Sequence, residues 1–206
     1  MNETVQARHR VAIAGQVIDA ITEKVIAAAA ISLITIPPAF QSWLGLYASQ
    51  FGVSWKAMAE RPDRTRSRVD GLFYFLDLPN GNYELRISAP SFGKRYGSVT
   101  QKVKVARDAN GTYQLTWAIV SLPPTTIEGC VSSKKTNISF AQVRVQGSGE
   151  SAYSDDAGRY TITGVEPGKR TLLAYAQGYK PATQPVTIAK PGDVQTVNFN
   201  LLHSAG

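Results

Sequence analysis

Short runs of alternating apolar and polar residues fill most of this chain and predict β-strands almost throughout. Val11–Ile18, Leu72–Leu76 and Tyr113–Leu122 represent the first half, and Gly158–Thr163 and Gly168–Ala176 represent the second. Gly, Pro, Asn and Asp separate these runs, as expected for tight turns between short strands. The pattern therefore predicts an all-β chain of the sandwich type.

One turn-and-strand pattern occurs twice, which indicates two copies of one folding unit. Asp70–Gly81 in the first half corresponds to Asp156–Gly168 in the second. A shift of 114 residues aligns the first strands of the two copies and places Gly15 on Gly129, whereas a shift of 87 aligns the strands after the turn. The difference is an insertion of 27 residues in the first copy.

Chain length agrees with this duplication, because 206 residues are enough for two sandwiches of roughly 100 residues each. We predict a first domain over residues 1–122, with an insertion at about 34–68, and a second domain over residues 126–206. Residues 123–125 are predicted to be a Pro-rich linker, since proline cannot donate to a strand ladder and stiffens the chain.

The second copy carries a motif that resembles a known family. Asp156–Gly168, which reads DAGRYTITGVEPG, and Ala174–Tyr179, which reads AYAQGY, are similar to the carboxypeptidase regulatory-like repeat over about 126–202. The resemblance implies two tandem transthyretin-like Greek-key β-sandwich domains, the first with a partly helical insertion. It implies no activity, because a fold does not fix a function.

Residues that could carry chemistry are too few to predict an enzyme. His9 and His203 are the two histidines and lie near opposite ends of the chain, so they supply no metal-ligand cluster for a zinc peptidase. No nucleophile elbow or phosphate loop is present. Asp155 and Asp156 are interpreted as turn residues and not as a calcium site. We therefore predict no catalytic residues, metal, cofactor or small-molecule substrate.

The insertion contains large apolar side chains at helical spacing, in the segment Pro37–Phe51. They would form one face of a helix, for which proline is acceptable in the first turn. This face either covers the open edge of its own sandwich or docks another protein. A membrane-surface helix is disfavoured, because no regular lysine face adjoins it. The apolar residues of the candidate interface are Phe40, Trp43, Leu44, Tyr47, Phe51 and Trp55.

Four arginines follow in the densest charge cluster of the chain. The first 125 residues hold 14 basic and 9 acidic side chains and the remainder hold 8 and 6, so most of the net charge of +7 belongs to the first copy. Alternating arginines in an extended segment project from one face. That face is either solvated or binds an acidic protein partner. No nucleic-acid-binding module accompanies these arginines, which are Arg61, Arg64, Arg66 and Arg68.

These features predict a non-catalytic structural or adaptor subunit that docks onto protein subunits of a larger assembly. Glu60–Pro79 resembles accessory proteins of phage-tail-like contractile injection systems, which implies an assembly of that kind. The alternative is a carbohydrate-binding or cell-surface accessory module. Met1–Arg10 lacks a signal-peptide pattern, and Val25–Ile36 is shorter than the roughly 20 residues of a membrane span. We expect the chain in the cytoplasm, free or in a particle assembled there.

Overall fold

A computed structural model describes residues 9–58 and 61–204. The chain divides into two compact units, one of Met1–Ser91 with Ser98–Leu122 and the other of Phe92–Gly97 with Pro123–Gly206. Each unit is built from two β-sheets, so the predicted fold class, all-β with two sandwiches and a helical insertion, is confirmed. The linker at residues 123–125 stays a prediction. Glu60, which falls in the predicted insertion, lies outside the described residues.

The first unit contains a three-stranded and a five-stranded sheet, with strand orders β4-β1-β8 and β3-β2-β5-β6-β7. Alternation along each strand directs one set of side chains into the core between the sheets, as Phe73, Phe75, Tyr83 and Leu85 show. The elements are β1 Val11–Asp19, β2 Ala30–Thr35, α1 Pro38–Phe51, a 3-10 helix Gly52–Ala57, β3 Arg64–Arg66, β4 Leu72–Leu76, β5 Gly81–Ser88, a 3-10 helix Pro90–Phe92, β6 Val99–Arg107, β7 Tyr113–Gln114 and β8 Thr116–Leu122.

The second unit repeats this arrangement. One sheet centres on β9, which pairs with β10, β13, β16 and β17, and the other has the order β12-β11-β14-β15. Its strands are β9 Thr126–Ser133, β10 Thr136–Asn137, β11 Gln142–Val145, β12 Ser151–Tyr153, β13 Arg159–Thr163, β14 Gly168–Tyr175, β15 Ala182–Ile188, β16 Val194–Thr196 and β17 Phe199–Asn200.

The aligned glycines of the two copies have the same structural role. The first strand of each unit pairs in parallel with the last, β1 with β8 and β9 with β16 and β17. A Cβ on Gly15 would lie 2.2 Å from the Ala118 carbonyl oxygen, and one on Gly129 would lie 1.8 Å from that of Val197. Glycine therefore permits the same close strand approach in both units.

The predicted single strand Tyr113–Leu122 is wrong, because the chain changes sheets within it. β7 pairs with β6 in the five-stranded sheet, whereas β8 pairs with β1 in the other. Leu115 lies at the crossing and is exposed. The apolar alternation continues through this crossing, so the pattern itself does not mark the break.

Candidate functional site

The insertion folds as the predicted helix. Pro38 occupies the first turn, where a missing N–H costs nothing, and Gly52 follows the helix at a φ of +54°. The shorter 3-10 helix comes next, so the second half of the insertion forms a separate turn. In the described part of the chain, no helix has the length and apolar character needed to cross a bilayer.

The aromatic side chains of the insertion stack in one continuous row. Phe40 and Trp43 have ring centroids 5.5 Å apart, and those of Trp43 and Tyr47 are 5.2 Å apart, both in near-parallel stacks. Tyr47 then meets Phe51 edge-on at 5.2 Å, and Phe51 stacks on Trp55 at 6.1 Å. Spacings of three and four residues bring the first four rings together along one face of α1, and Trp55 continues the row from the 3-10 helix.

The row begins in the core and continues into rings that are half-buried or exposed. Phe40 is the one buried side chain among the fully described residues of α1, at 4% exposure, and its ring contacts that of Tyr83. Trp43 is 47% exposed, and Phe51 is also exposed. Phe40 therefore covers its own sandwich, as the first interpretation of the stripe expects. Docking of another protein on the rings beyond it stays a prediction.

An open groove of about 1210 Å³ runs between α1 and the edge strands β3 and β4. Three of the predicted interface residues, Leu44, Phe51 and Trp55, do not line it. The predicted residues that do line it are Phe40, Trp43, Tyr47, Arg61, Arg64, Arg66 and Arg68.

The groove also contains residues that the sequence did not indicate. His9, Tyr74, Leu76 and Asp77 belong to its lining. Tyr74 and Leu76 alternate with buried phenylalanines along β4, so the sequence contains a signal for their exposure. Their position opposite α1 depends on the order of the strands, which no local pattern encodes.

Arg61 is held by contacts within its own segment. Its guanidinium forms two hydrogen bonds with the Asp63 carboxylate, one of them 2.8 Å from Nε to Oδ1. The same group lies over the Trp55 ring, 4.6 Å from the ring centroid, and donates to the Trp55 carbonyl oxygen at 3.4 Å. Arg61 therefore fixes the end of the aromatic row, and its charge is already balanced.

The three remaining arginines have no carboxylate within 4 Å among the described residues. Arg64 donates from Nη2 to the Lys56 carbonyl oxygen at 3.4 Å, while its Nε is buried without a hydrogen-bond partner in the described part of the chain. Arg66 and Arg68 are exposed. Excess positive charge and unused donors thus lie along one wall of the groove.

A carboxylate lies at the other end of the groove. His9 Nδ1 and Asp77 Oδ2 are 2.5 Å apart, and the backbone N–H of Arg10 donates to Asp77 Oδ1 at 2.9 Å. These two hydrogen bonds, with the His9 bond the larger contribution, lower the pKa of Asp77. The groove therefore has a basic wall and a small acidic end.

Asp155 lies in the turn that the sequence predicted. Its carboxylate accepts the backbone N–H groups of Ala157 and Arg159 at 2.9 and 2.7 Å. The Arg159 hydrogen bond is the main cause of its lowered pKa. Over residues 9–58 and 61–204, no three His, Cys, Asp or Glu side chains come together in a metal-binding arrangement.

The second unit has a smaller exposed feature. Gln142 on β11 pairs with Tyr153 on β12 and with Tyr175 on β14, so the three side chains form one row across the sheet. Val143 and Ala174 on the same strands are buried, which places this row on the outer face. The two tyrosines are 64% and 52% exposed, and two strand spacings separate them by about 10 Å.

Solved structures that match this chain include a Bacillus anthracis protein and two pilins. The Bacillus anthracis TIE protein has 13% identity and a TM-score of 0.38, and a streptococcal ancillary pilin has 16% identity and a TM-score of 0.39. They cover 93% and 94% of this chain, which spans 34% and 62% of theirs. The shaft pilin SpaA of Lactobacillus rhamnosus GG has 10% identity and a TM-score of 0.41, with 97% and 99% coverage. At TM-scores below 0.5, these likenesses support no inference about function.

Sequence comparisons match one part of the chain to a known domain family. No match was found among curated proteins. The resemblance noted in the second copy is confirmed over the range in which the sequence indicated it: residues 126–202 match the carboxypeptidase regulatory-like domain.

Proposed function

We propose that this chain is a non-catalytic structural or accessory module whose first unit docks another protein in the groove between α1, β3 and β4. The observation that carries the proposal is the convergence, on one concave surface, of exposed aromatic rings with three arginines that have no carboxylate partner in the described part of the chain. Aromatic residues and arginine are the types that protein interfaces concentrate at their anchoring positions.

The size of the groove favours a polypeptide over a metabolite. Small-molecule sites usually enclose about 300–1,000 Å³ and bury most of their ligand. The groove exceeds that range at about 1210 Å³ and is open to solvent. Such a surface fits an elongated partner that is anchored by side chains at several points.

Affinity capture with a matched pair of variants tests this proposal. The immobilised chain is exposed to extracts of the source organism, and each captured protein is purified and titrated against the variants. Trp43→Ala with Tyr47→Ala removes the two rings of the row that line the groove and are not buried. Trp117→Ala is the control, because Trp117 is 52% exposed in the same unit and does not line the groove. We expect the double variant to weaken binding at least about tenfold and the control to leave it unchanged.

Equal affinity for the double variant and the wild type would contradict the proposal, provided that both are folded. Fluorescence of the remaining tryptophans reports folding of the first unit, because Trp43, Trp55 and Trp117 are the three tryptophans of the chain. A loss of binding with Trp117→Ala alone would place the interface elsewhere.

A carbohydrate-binding accessory role is a second candidate, and the Tyr153–Gln142–Tyr175 row supports it. Two exposed rings on a flat sheet can stack on the apolar faces of sugars, while the amide between them can hydrogen-bond to hydroxyl groups. The spacing of about 10 Å between the tyrosines is close to the length of a β-linked disaccharide unit. This row is independent of the groove.

Titration with soluble β-glucans and a peptidoglycan digest tests the second candidate. We expect Tyr153→Ala with Tyr175→Ala to abolish binding, and Trp43→Ala with Tyr47→Ala to retain it. The absence of any interaction tighter than about 1 mM with the wild-type chain would count against a glycan role.

The kind of larger assembly is proposed from the sequence and not from the groove. A contractile injection system is suggested by the resemblance of residues 60–79, and the groove itself suits any assembly with an elongated partner. Identification of the captured protein decides between such a particle and a cell-surface assembly.

A further inference from the structure

We infer that the partner enters the groove as an acidic, extended segment that adds a strand to the free edge of β4. This inference rests on the proposed docking function and specifies the chemistry of the partner. Its basis is a set of backbone hydrogen-bonding groups that lie at the groove without partners in the described part of the chain.

The direction of these groups follows from the pairing of β4 with β1. The two strands are antiparallel, and the backbone N–H of Val17 donates to the Gly71 carbonyl oxygen at 2.9 Å. Antiparallel pairs alternate between bonded and non-bonded positions, so Phe73 and Phe75 direct their N–H and C=O groups towards β1. The backbone groups of Tyr74 and Leu76 consequently point the other way, towards the groove.

The free edge begins beyond Leu72, whose outward carbonyl oxygen accepts the Arg68 N–H at 2.8 Å. At the other end of β4, the Asp77 N–H faces the β1 side and donates to the Arg10 carbonyl oxygen at 2.9 Å, so the alternation holds to the end of the strand. No described residue supplies a hydrogen bond to the outward backbone groups of Tyr74 or Leu76. Two backbone N–H donors and two C=O acceptors are therefore available to pair with a short strand.

An unpaired edge beside an apolar surface is normally covered or protected. Here α1 leaves the edge open, and its exposed rings form the facing wall of the groove. A strand added at β4 would turn alternate side chains towards Trp43 and Tyr47. Backbone hydrogen bonds would provide affinity, and these rings would select apolar side chains at every second position.

The charges along the groove specify an acidic segment. Arg64, Arg66 and Arg68 have no carboxylate partner among the described residues, whereas Arg61 is already paired with Asp63. Asp77 is the carboxylate that lines the groove, and it already bonds His9. Acidic side chains would thus complement the wall on β3, whereas a second copy would bring a second set of arginines to it.

A designed peptide can measure strand addition directly. The probe is a labelled ten-residue peptide in which valine alternates with glutamate. A second peptide has the same sequence with N-methyl groups on one edge, and a third has lysine in place of glutamate. We expect the N-methyl and lysine peptides to bind at least about tenfold more weakly than the probe, and the affinity of the probe to fall as salt is raised.

Two variants of the protein test the same edge by altering β4 instead of the peptide. Tyr74→Pro removes an outward N–H that β1 does not use, whereas Tyr74→Ala removes the ring and keeps the N–H. We expect the proline variant to lose more affinity for the probe than the alanine variant. Hydrogen exchange of the Tyr74 and Leu76 amides in the wild-type chain should slow when the probe binds, a readout that does not depend on any variant folding.

The outcomes separate this inference from the proposed function. If the probe binds in the groove but N-methylation leaves its affinity and the Tyr74 and Leu76 exchange rates unchanged, strand addition is wrong and docking stands. If no probe binds while a captured partner still requires Trp43 and Tyr47, strand addition is wrong and the proposed docking function again stands. If the chain instead dimerises through β4, a second copy is the occupant and the acidic partner is overturned. If neither probe nor partner responds to groove variants, both proposals fall.

Discussion

The ring of Phe40 meets the ring of Tyr83 edge-on, with centroids 6.2 Å apart. Tyr83 lies in the core on β5, and its hydroxyl donates to the Pro79 carbonyl oxygen at 2.7 Å. This contact anchors an otherwise exposed helix to the sandwich. The stability of the first unit and the proposed docking on the helix should therefore depend on different rings of the same row.

Phe40→Ala should destabilise the first unit by about 3 kcal/mol or more, because it leaves a cavity where a buried ring packed. Trp43→Ala should cost about 1 kcal/mol, since that ring is nearly half exposed. Urea unfolding monitored by the remaining tryptophans measures both values. Similar losses for the two variants would show that the row acts as one packing unit.

The paired glycines give a second prediction. Gly15→Ala should destabilise the first unit, and Gly129→Ala the second, by at least about 3 kcal/mol each, because the new methyl group would overlap a backbone carbonyl oxygen of the parallel strand. Hydrogen exchange resolved along the chain should show faster exchange in the altered unit.

Gly45→Ala is the control for these variants. Gly45 lies inside α1, and a Cβ there meets no atom within 4 Å. Alanine should stabilise the helix by up to about 1 kcal/mol, because glycine is the weaker helix former. If Gly45→Ala destabilises the first unit, the cause must be something other than a lack of space for the side chain.

Asp77 should contribute to acid unfolding of the first unit. Its pKa is lowered in the folded protein, first by the hydrogen bond with His9 and then by that from the Arg10 N–H, with the positive charge of Arg107 nearby. A lowered folded pKa stabilises the protein above the unfolded value, and this contribution disappears as the pH falls through the folded pKa. When the pH is lowered below about 4, the free energy of unfolding should therefore fall less for Asp77→Asn than for the wild type.

Asparagine suits this position because Asp77 has a φ of +53°, which asparagine also adopts. Tryptophan-monitored unfolding across the acidic range provides the measurement. His9→Ala should make the free energy of unfolding less dependent on pH over the same acidic range. Parallel acid profiles for Asp77→Asn and the wild type would exclude Asp77 as a contributor.

The second unit has a buried hydroxyl group at a position where the first copy has phenylalanine. Tyr160 donates to the Val197 carbonyl oxygen at 2.6 Å, and burial raises its pKa. Tyr160→Phe should cost about 1–3 kcal/mol, because a buried acceptor loses its partner. The aligned residue in the first copy is Phe73, so Phe73→Leu serves as the comparison for ring packing alone. Near-ultraviolet circular dichroism and hydrogen exchange of the second unit report the effect.

The sequence predicted those features that depend on local periodicity. Leu72–Leu76 is a strand with the bounds that its alternation indicated, and the helix spacing of the insertion gave the row that begins at Phe40. Alignment of the two copies also identified Gly15 and Gly129. In each case the information lies in residues a few positions apart or in an internal repeat.

Features that depend on strand order were beyond the sequence. The groove brings Trp43 opposite Tyr74, and the free backbone groups of Tyr74 arise because β4 lies at the edge of its sheet. The pairing of His9 with Asp77 spans most of the first unit. Cytoplasmic location stays a prediction.

The parallel pairing of first and last strands also sets when each unit can fold. In the first unit, β1 finds its place beside β8 after nearly the whole unit has been synthesised, and the insertion lengthens the intervening chain. Contacts between residues so distant in sequence slow folding to the millisecond-to-second range typical of β-sandwiches. Until β8 leaves the ribosome, β1 lacks its parallel neighbour, so a nascent first unit exposes apolar strands that a chaperone could bind.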